Sequence, residues 1–464
     1  MRIFIFSCLL IILIQIMYSF DFDYLSTEKT EDNQIHKLFS WSITKYKNNE
    51  NYTFCYDCIP EKIKSLNENV FFCNFPRKNK NSTFTFALYN KDNDYFEPWP
   101  NLTLNQFSSN YSELNLISVT AFEIDEDNNI YILDNGRINY NKAENNTSIK
   151  LFIYSQDGKL LNYTNFSEIN SINDSIDYSN IYFTDMVFDK KHKYMILSDS
   201  NILSENGKLK SKNPGIYILT LDSDKHKLYK ILNDSEYFKP DKSYWYHFND
   251  TPIYPDTPIQ IGITGLALSC NMEYIFFTSL SSLKFYSIST HEIHEYIEKN
   301  TEIHVYSSYK KEASYGLVFS NKGNLYMSGV ESGSIYLANQ IDNDLGRFDY
   351  RDLYQIKINK TNMLAKYMDV NNGNLYFIVS KINDSFWNIT EEKNETFSNF
   401  EIDYYEVKGE KSYRYGCFGV ENSVKIGSMV IWAIFLFVLF MVFVFVCASR
   451  PTNEIKYAAL NFNQ

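Results

Sequence analysis

The residues able to do chemistry fall in short phrases, and none of these phrases completes a catalytic motif. Ser332-Gly333 lacks the GxSxG spacing of a nucleophile elbow. His291-Glu292-Ile293-His294 sets two imidazoles three residues apart, whereas a zinc-protease helix needs a four-residue step to turn both toward one metal. With Tyr296 and Glu298 beside it, the segment reads as a solvated connection between blades. Asp125-Glu126-Asp127-Asn128-Asn129 begins like a calcium loop, but Ile130 stands where glycine is required and Gly136 where the bidentate glutamate belongs. A hairpin turn is expected there. Cys55 and Cys58 have thiol-redox spacing, yet no βαβ pattern surrounds them and no second CxxC completes a zinc site. A structural disulfide is expected, with Cys73 a further candidate for it. No metal and no cofactor follow from these residues.

Binding is the chemistry that remains, and a repeat positions it. Five phrases share an apolar run, an acidic or Asn/Gly turn, and a Tyr- or Phe-rich run that often ends in Asp or Ser. They lie at 117–136, 183–200, 263–282, 313–332 and 364–381, with a degenerate sixth at 67–80. Turn residues such as Asn321-Lys322-Gly323-Asn324 and Asn371-Asn372-Gly373-Asn374 tolerate positive φ or hydrogen-bond their own backbone, so each phrase predicts a hairpin. Gly265-Leu266-Ala267-Leu268 is apolar throughout, as a strand covered on both faces must be. Six such hairpins spaced along the chain predict an all-β, six-bladed β-propeller.

In a propeller the starts of the innermost strands and the loops after their partners converge at one mouth of the channel. Those positions hold Thr120, Asp185, Thr264 and Tyr315 at strand starts, and Asp134, Asp199, Ser282 and Glu331 in the following loops. Carboxylates beside aromatic rings such as Tyr315 and Phe183 suit a cationic amine through ion pairing and cation–π contact. The competing reading is that these Asp and Ser side chains cap turns and tie blade to blade.

The remaining features bear on compartment. Arg2 followed by the apolar stretch 3–17 and small Ser19 fits a secretory signal peptide over 1–19. Residues 426–447 carry no charge and are long enough to cross a bilayer. The expected organisation is a propeller over 20–400, a stalk at 401–425, a membrane helix at 426–447 and a cytoplasmic tail at 448–464. That is a single-pass type I protein of the cell surface or an endomembrane, with the propeller extracellular or lumenal. The tail holds Tyr457-Ala458-Ala459-Leu460, a YxxΦ pattern of the kind clathrin adaptors read through Tyr457 and Leu460. Net charge is −12 with no basic stripe interleaved with aromatics, which excludes a nucleic-acid partner. Some fifteen Asn-x-Ser/Thr sequons, among them Asn51, Asn81, Asn101, Asn110, Asn162, Asn233, Asn359 and Asn388, lie outside the cores of the five clearest strand pairs. A glycosylated surface is expected. Five cysteines fall between the two apolar ends, so at least one lacks a partner within that set.

Several phrases resemble the major royal jelly/yellow protein family. LISVTAFEIDEDNNIYILDNGR is similar to the family's L-x-S-V…D-x-x-x-x-L-W-V-L-D-x-G, with matches at Asp125, Leu133, Asp134 and Gly136 and with Tyr131 in place of the usual Trp. ITGLALSCNMEYIFFTSLSSLKFYSIST, with the Gly262 before it, looks like the family's G-I-x-G-x-A-L-S…L-Y-Y-x-x-L-S-S-x-x-L-Y-x-V-x-T, matching at Gly262, Gly265, Ala267, Leu268, Ser269, Leu280, Ser281, Ser282 and Tyr286. YDCIPEK and VFFCNFPRKNK are similar to its Y-I-P-E-N and V-F-V-T-x-P-R stretches. The resemblance spans residues 36–385 in order. It implies a six-bladed propeller with a ligand pocket at one channel mouth, and members associated with amine binding, storage, pigmentation or dopachrome conversion. The expected function is binding of a small molecule or an extracellular protein partner by a membrane-anchored propeller. A dopachrome-converting enzyme and a surface adhesion or coat protein are the alternatives.

Overall fold

The computed structural model describes residues 35–415 apart from 42–43, 49–50, 56–57, 81, 108–111, 139, 141–148, 172–175, 177, 206–207, 222–225, 249–250, 253–257, 340–352, 359–362, 382–399 and 408–409. Six sheets of at least four antiparallel strands form the blades. Their innermost strands are Lys62–Ser65, Val119–Ile124, Phe183–Asp189, Ile263–Leu268, Leu317–Phe319 and Met363–Asn371. Each of these touches the next, and the sixth touches the first, so the ring is closed. The last blade takes its outermost strand from the other end of the chain: Ile35–Trp41 pairs antiparallel with Phe400–Glu406.

The repeat phrases are the inner hairpins of these blades. Val119–Ile124 and Ile263–Leu268 are buried at every residue, which explains the apolar run Gly265-Leu266-Ala267-Leu268 in the second and requires partners for Thr120 and Glu123 in the first. Positive φ occurs in the turns at Asn128, Lys193, Met272, Gly323, Asn372 and Gly373. Aromatic pairs seal the seams between blades, with Phe86 on Phe122, Phe276 on Phe319 and Phe71 on Tyr376 at 4.9, 4.9 and 4.8 Å between ring centroids. Gly262 has no room for a side chain, since a Cβ there would lie 2.5 Å from the Phe238 carbonyl oxygen.

Two expectations change. The His291–His294 segment does not join blades: it lies on a helix, Thr290–Lys299, between the third and fourth strands of blade 4. His291 faces solvent while His294 Nδ1 bonds the Tyr194 hydroxyl at 2.8 Å, so the two imidazoles occupy different surroundings. The propeller also outruns residue 400. Phe400–Glu406 completes blade 6, and Glu410–Tyr415 folds back over the ring, so the segment expected as stalk is structural to at least Tyr415. Among the described residues no helix is long and apolar enough to cross a membrane. The expected signal peptide, the 426–447 span and the Tyr457–Leu460 motif lie outside the described residues.

Cys55 and Cys58 form a disulfide. Cys73 is not in it; it is a fully buried thiol. Cys270 is disulfide-bonded.

Candidate functional site

One irregularity recurs and builds the site. The pairing of inner strand with second strand slips between Val119 and Ala121, between Phe183 and Asp185, between Ile263 and Gly265, and between Ala365 and Met368. Each slip is a bulge, which frees one residue from the ladder and re-aims its side chain. The residues so released are Thr120, Thr184, Thr264 and the pair Lys366-Tyr367. Thr120, Thr184, Thr264 and Tyr367 all reach the same cavity at the upper mouth of the channel, where the inner strands begin.

The Asp or Ser that ends so many of the repeat phrases has a physical reason in the same feature. Asp134 Oδ2 accepts from the Ile117 amide at 2.8 Å and its Oδ1 from the Ser118 and Gly136 amides at 2.7 and 2.9 Å. Asp199 Oδ1 accepts from the Tyr182 and Asn201 amides at 2.8 and 2.7 Å. In blades 4 and 5 a serine hydroxyl does this work: Ser281 accepts from the Ile261 amide, and Ser328 from those of Tyr315 and Gly316. These side chains satisfy backbone donors where strand pairing fails.

The cavity open to a water-sized sphere is about 10 Å³. That is room for one water molecule, or for a group of the same size. Four phenols surround it, from Tyr140, Tyr182, Tyr315 and Tyr367, together with the Glu61 carboxyl group. Tyr140 packs on Tyr182 at 4.9 Å, and Tyr315 stands edge-on to Tyr367 at 5.0 Å. Burial, with the Glu61 charge adding to it, holds the phenols of Tyr182 and Tyr315 well above their ordinary range; for Tyr367 the Asp185 charge also contributes. All three stay neutral. The Thr264 hydroxyl is buried and has no hydrogen-bond partner among the described residues, which is a costly state for a polar group unless a further group meets it.

Below the cavity the channel is closed by paired charges. Lys62 contacts Asp185, whose carboxylate also accepts from the Met186 and Leu266 amides, both at 2.9 Å. Lys64 meets Glu123 at 2.6 Å. Burial opposes ionisation of both members of that second pair, but their mutual attraction outweighs it, raising the Lys64 pKa and lowering that of Glu123. At Asp185 burial prevails over Lys62 and the pKa is raised. Tyr413 and Arg414 stopper the lower mouth, bonding Glu123 Oε2 and the Ser65 carbonyl oxygen, each at 2.8 Å.

Of the eight positions expected at the mouth, Thr120, Thr264 and Tyr315 line the cavity. Asp185 does not: it sits deeper, held by Lys62. Asp134 and Asp199 hold turns, the Ser282 hydroxyl accepts from the Lys284 amide at 3.0 Å, and Glu331 accepts from the Tyr244 hydroxyl and the His247 amide at 2.5 and 2.7 Å. Glu61, Tyr140, Tyr182, Thr184 and Tyr367 are lining residues that the sequence reading did not select. Glu61 was within reach, because it lies in the YDCIPEK phrase.

Residues 117–411 match the major royal jelly protein family. The chain belongs to that family. The match begins two residues before the inner strand of blade 2 and extends past the last strand of blade 6, so blade 1, which supplies Glu61, Lys62 and Lys64, falls outside it. No curated protein matches the chain in sequence. Among solved structures, it is similar to a luciferin-regenerating enzyme at 11% identity over 82% of this chain and 97% of that one, with a TM-score of 0.47. It is also similar to a gluconolactonase-type protein at 9% identity over 82% and 94%, TM-score 0.43. A third is a catalytically inactive Staphylococcus aureus virginiamycin B lyase with quinupristin, at 11% identity over 79% and 89%, TM-score 0.40.

Proposed function

We propose that this royal-jelly-family propeller is a binding protein for a small molecule bearing a primary ammonium group, taken up at the upper mouth. The observation that carries the reading is the unpartnered Thr264 hydroxyl in a cavity of one-water size ringed by four tyrosines and Glu61. A primary ammonium head is about that large. It would donate to Thr264 and Glu61 and lie against neutral phenol rings, where desolvated cation–π contact contributes about 2 kcal/mol. The organic body of the ligand would extend outward through the mouth. The propeller is proposed to stand on the extracellular or lumenal side of a membrane, anchored by residues 426–447. Four exposed sequons, at Asn51, Asn101, Asn162 and Asn233, support a glycosylated exterior.

The test is calorimetric titration of the full chain with biogenic amines, with a dopachrome turnover assay on the same sample. Binding without turnover, weakened about 30-fold or more by Glu61→Gln through loss of a desolvated charge partner, is the expected result. Turnover that disappears in Glu61→Gln would make the protein an enzyme. Neither binding nor turnover would leave the ring as an adhesion or coat module, a reading that the charge-filled channel favours.

A further inference from the structure

A second, larger cavity opens on the lower face, where the inner hairpins turn, at the opposite end of the channel from the ammonium site. Its volume is about 370 Å³, within the range of small-molecule sites. Blades 2 and 3 form its sides, Met272 of blade 4 contributes to its wall, and Tyr413 and Arg414 cover it. The floor is aromatic, since Tyr131 stacks on Phe188 at 5.1 Å, and Leu221 continues the apolar surface. The rim is charged with opposite signs on opposite sides. Blade 2 presents Glu126 and Asp127 from its turn, and blade 3 presents Lys190 and Lys193 from its own.

The pairing of these charges selects the ligand. Glu126 and Lys190 contact each other across the seam. Asp125 is saturated, accepting from the Asp127 and Asn129 amides, the Asn129 side chain and the Tyr131 hydroxyl. Deeper in the wall, Glu123 is paired with Lys64 and the buried Arg414 guanidinium donates to the Ser65 carbonyl oxygen, so on the exposed rim Asp127 and Lys193 are left, one anion and one cation, and neither has an ion-pair partner among the described residues. Lys193 is held in the left-handed region at φ 57°, so the turn that carries it has a defined shape. We infer that this cavity binds a zwitterion with an aromatic body, namely an aromatic α-amino acid. Its ammonium group faces Asp127, its carboxylate faces Lys193, and its ring lies on Phe188 and Met272. A wholly apolar ligand would leave both rim charges unanswered, and a ligand of single charge would answer only one.

The experiment uses the full chain carrying Glu61→Gln, which weakens the upper site about 30-fold or more and so separates its signal from that of the lower cavity. L-Phenylalanine, phenethylamine and 3-phenylpropionate are titrated by calorimetry. L-Phenylalanine binds tightest, and each one-charge analogue is about three- to fivefold weaker, the scale of one partly exposed ion pair. Asp127→Asn then abolishes the preference over 3-phenylpropionate, and Lys193→Gln abolishes the preference over phenethylamine. Both residues are exposed, so the fold is not at stake, and thermal melts verify it. Absence of L-phenylalanine binding, equal affinity for either analogue, or a preference that survives its matching substitution would each overturn the assignment.

Discussion

Replacing Asp185 with asparagine strips the counter-charge from Lys62 at a point where both side chains are almost wholly inaccessible, at 2% and 5% exposure. The Lys62 ammonium then stays in the channel without a direct counter-charge, left with the Tyr367 ring 5.2 Å away and the more distant attraction of Glu123, which is already paired with Lys64. Breaking a buried pair from one side costs about 3–5 kcal/mol, because the abandoned ion keeps its desolvation penalty. Asparagine also offers one oxygen where the carboxylate offers two, and the Met186 and Leu266 amides now use one each. A loss of about 4 kcal/mol is therefore expected. If the stranded charge is the cause, Lys62→Met should restore stability when added to Asp185→Asn, although each substitution alone is damaging. The cycle should show a coupling of at least about 2 kcal/mol. Guanidinium unfolding of the four proteins, followed by tryptophan fluorescence, measures it. A single-variant loss below about 1 kcal/mol, or a double variant no better than the sum of the singles, would refute the view that Asp185 is spent on Lys62.

Burial lifts the Asp199 pKa from its usual value to about 6, with one carboxylate oxygen lacking a partner. As pH rises from 4 to 6 the unfolded chain releases this proton before the folded one does, so the folded state loses about 3 kcal/mol over that window. Asp199→Asn should flatten this part of the pH–stability profile, and an unchanged slope in melting temperature would place its origin elsewhere. Cys73, fully buried and with its thiol pKa pushed up by burial, should resist iodoacetamide until the chain unfolds; mass spectrometry of native and denatured samples checks this. Asn51, Asn101, Asn162 and Asn233 are exposed, and peptide mapping after enzymatic deglycosylation should find the deamidation mark at these positions in protein from a secretory host.

Much of the ring was legible because its inner hairpins are repeated and their turns use residues that accept positive φ. The outer strands were not, since Lys227–Ile231 or Tyr354–Lys357 are half-solvated and carry no distinctive period. The closing strand Ile35–Trp41 was hidden for another reason: pairing with Phe400–Glu406 leaves no trace in local sequence. At the site, Thr120, Thr264 and Tyr315 are legible from their place at or just before the inner strands; Tyr182 stands equally close to its strand but carries no turn or bulge signal of its own, and Tyr140 comes from a loop. The charges in the channel carried a signal that went unread. Lys62-Ile63-Lys64 alternates in an innermost strand whose counterparts are mostly apolar, and such alternation in a strand buried on both faces means that the charged side chains share an interior with partners of opposite sign.

The junction between Ile35–Trp41 and Phe400–Glu406 sets a timetable for biogenesis. The first strand among the described residues finds its partner only after about 365 further residues have been made. At about 5–20 residues per second this is a wait of roughly 20–70 s. During that interval the seven-residue edge IHKLFSW is unpaired in the presence of other nascent copies. Exchange of this strand between two molecules is the failure that such a delay invites, and the polar His36 and Lys37 near its start are placed to discourage it.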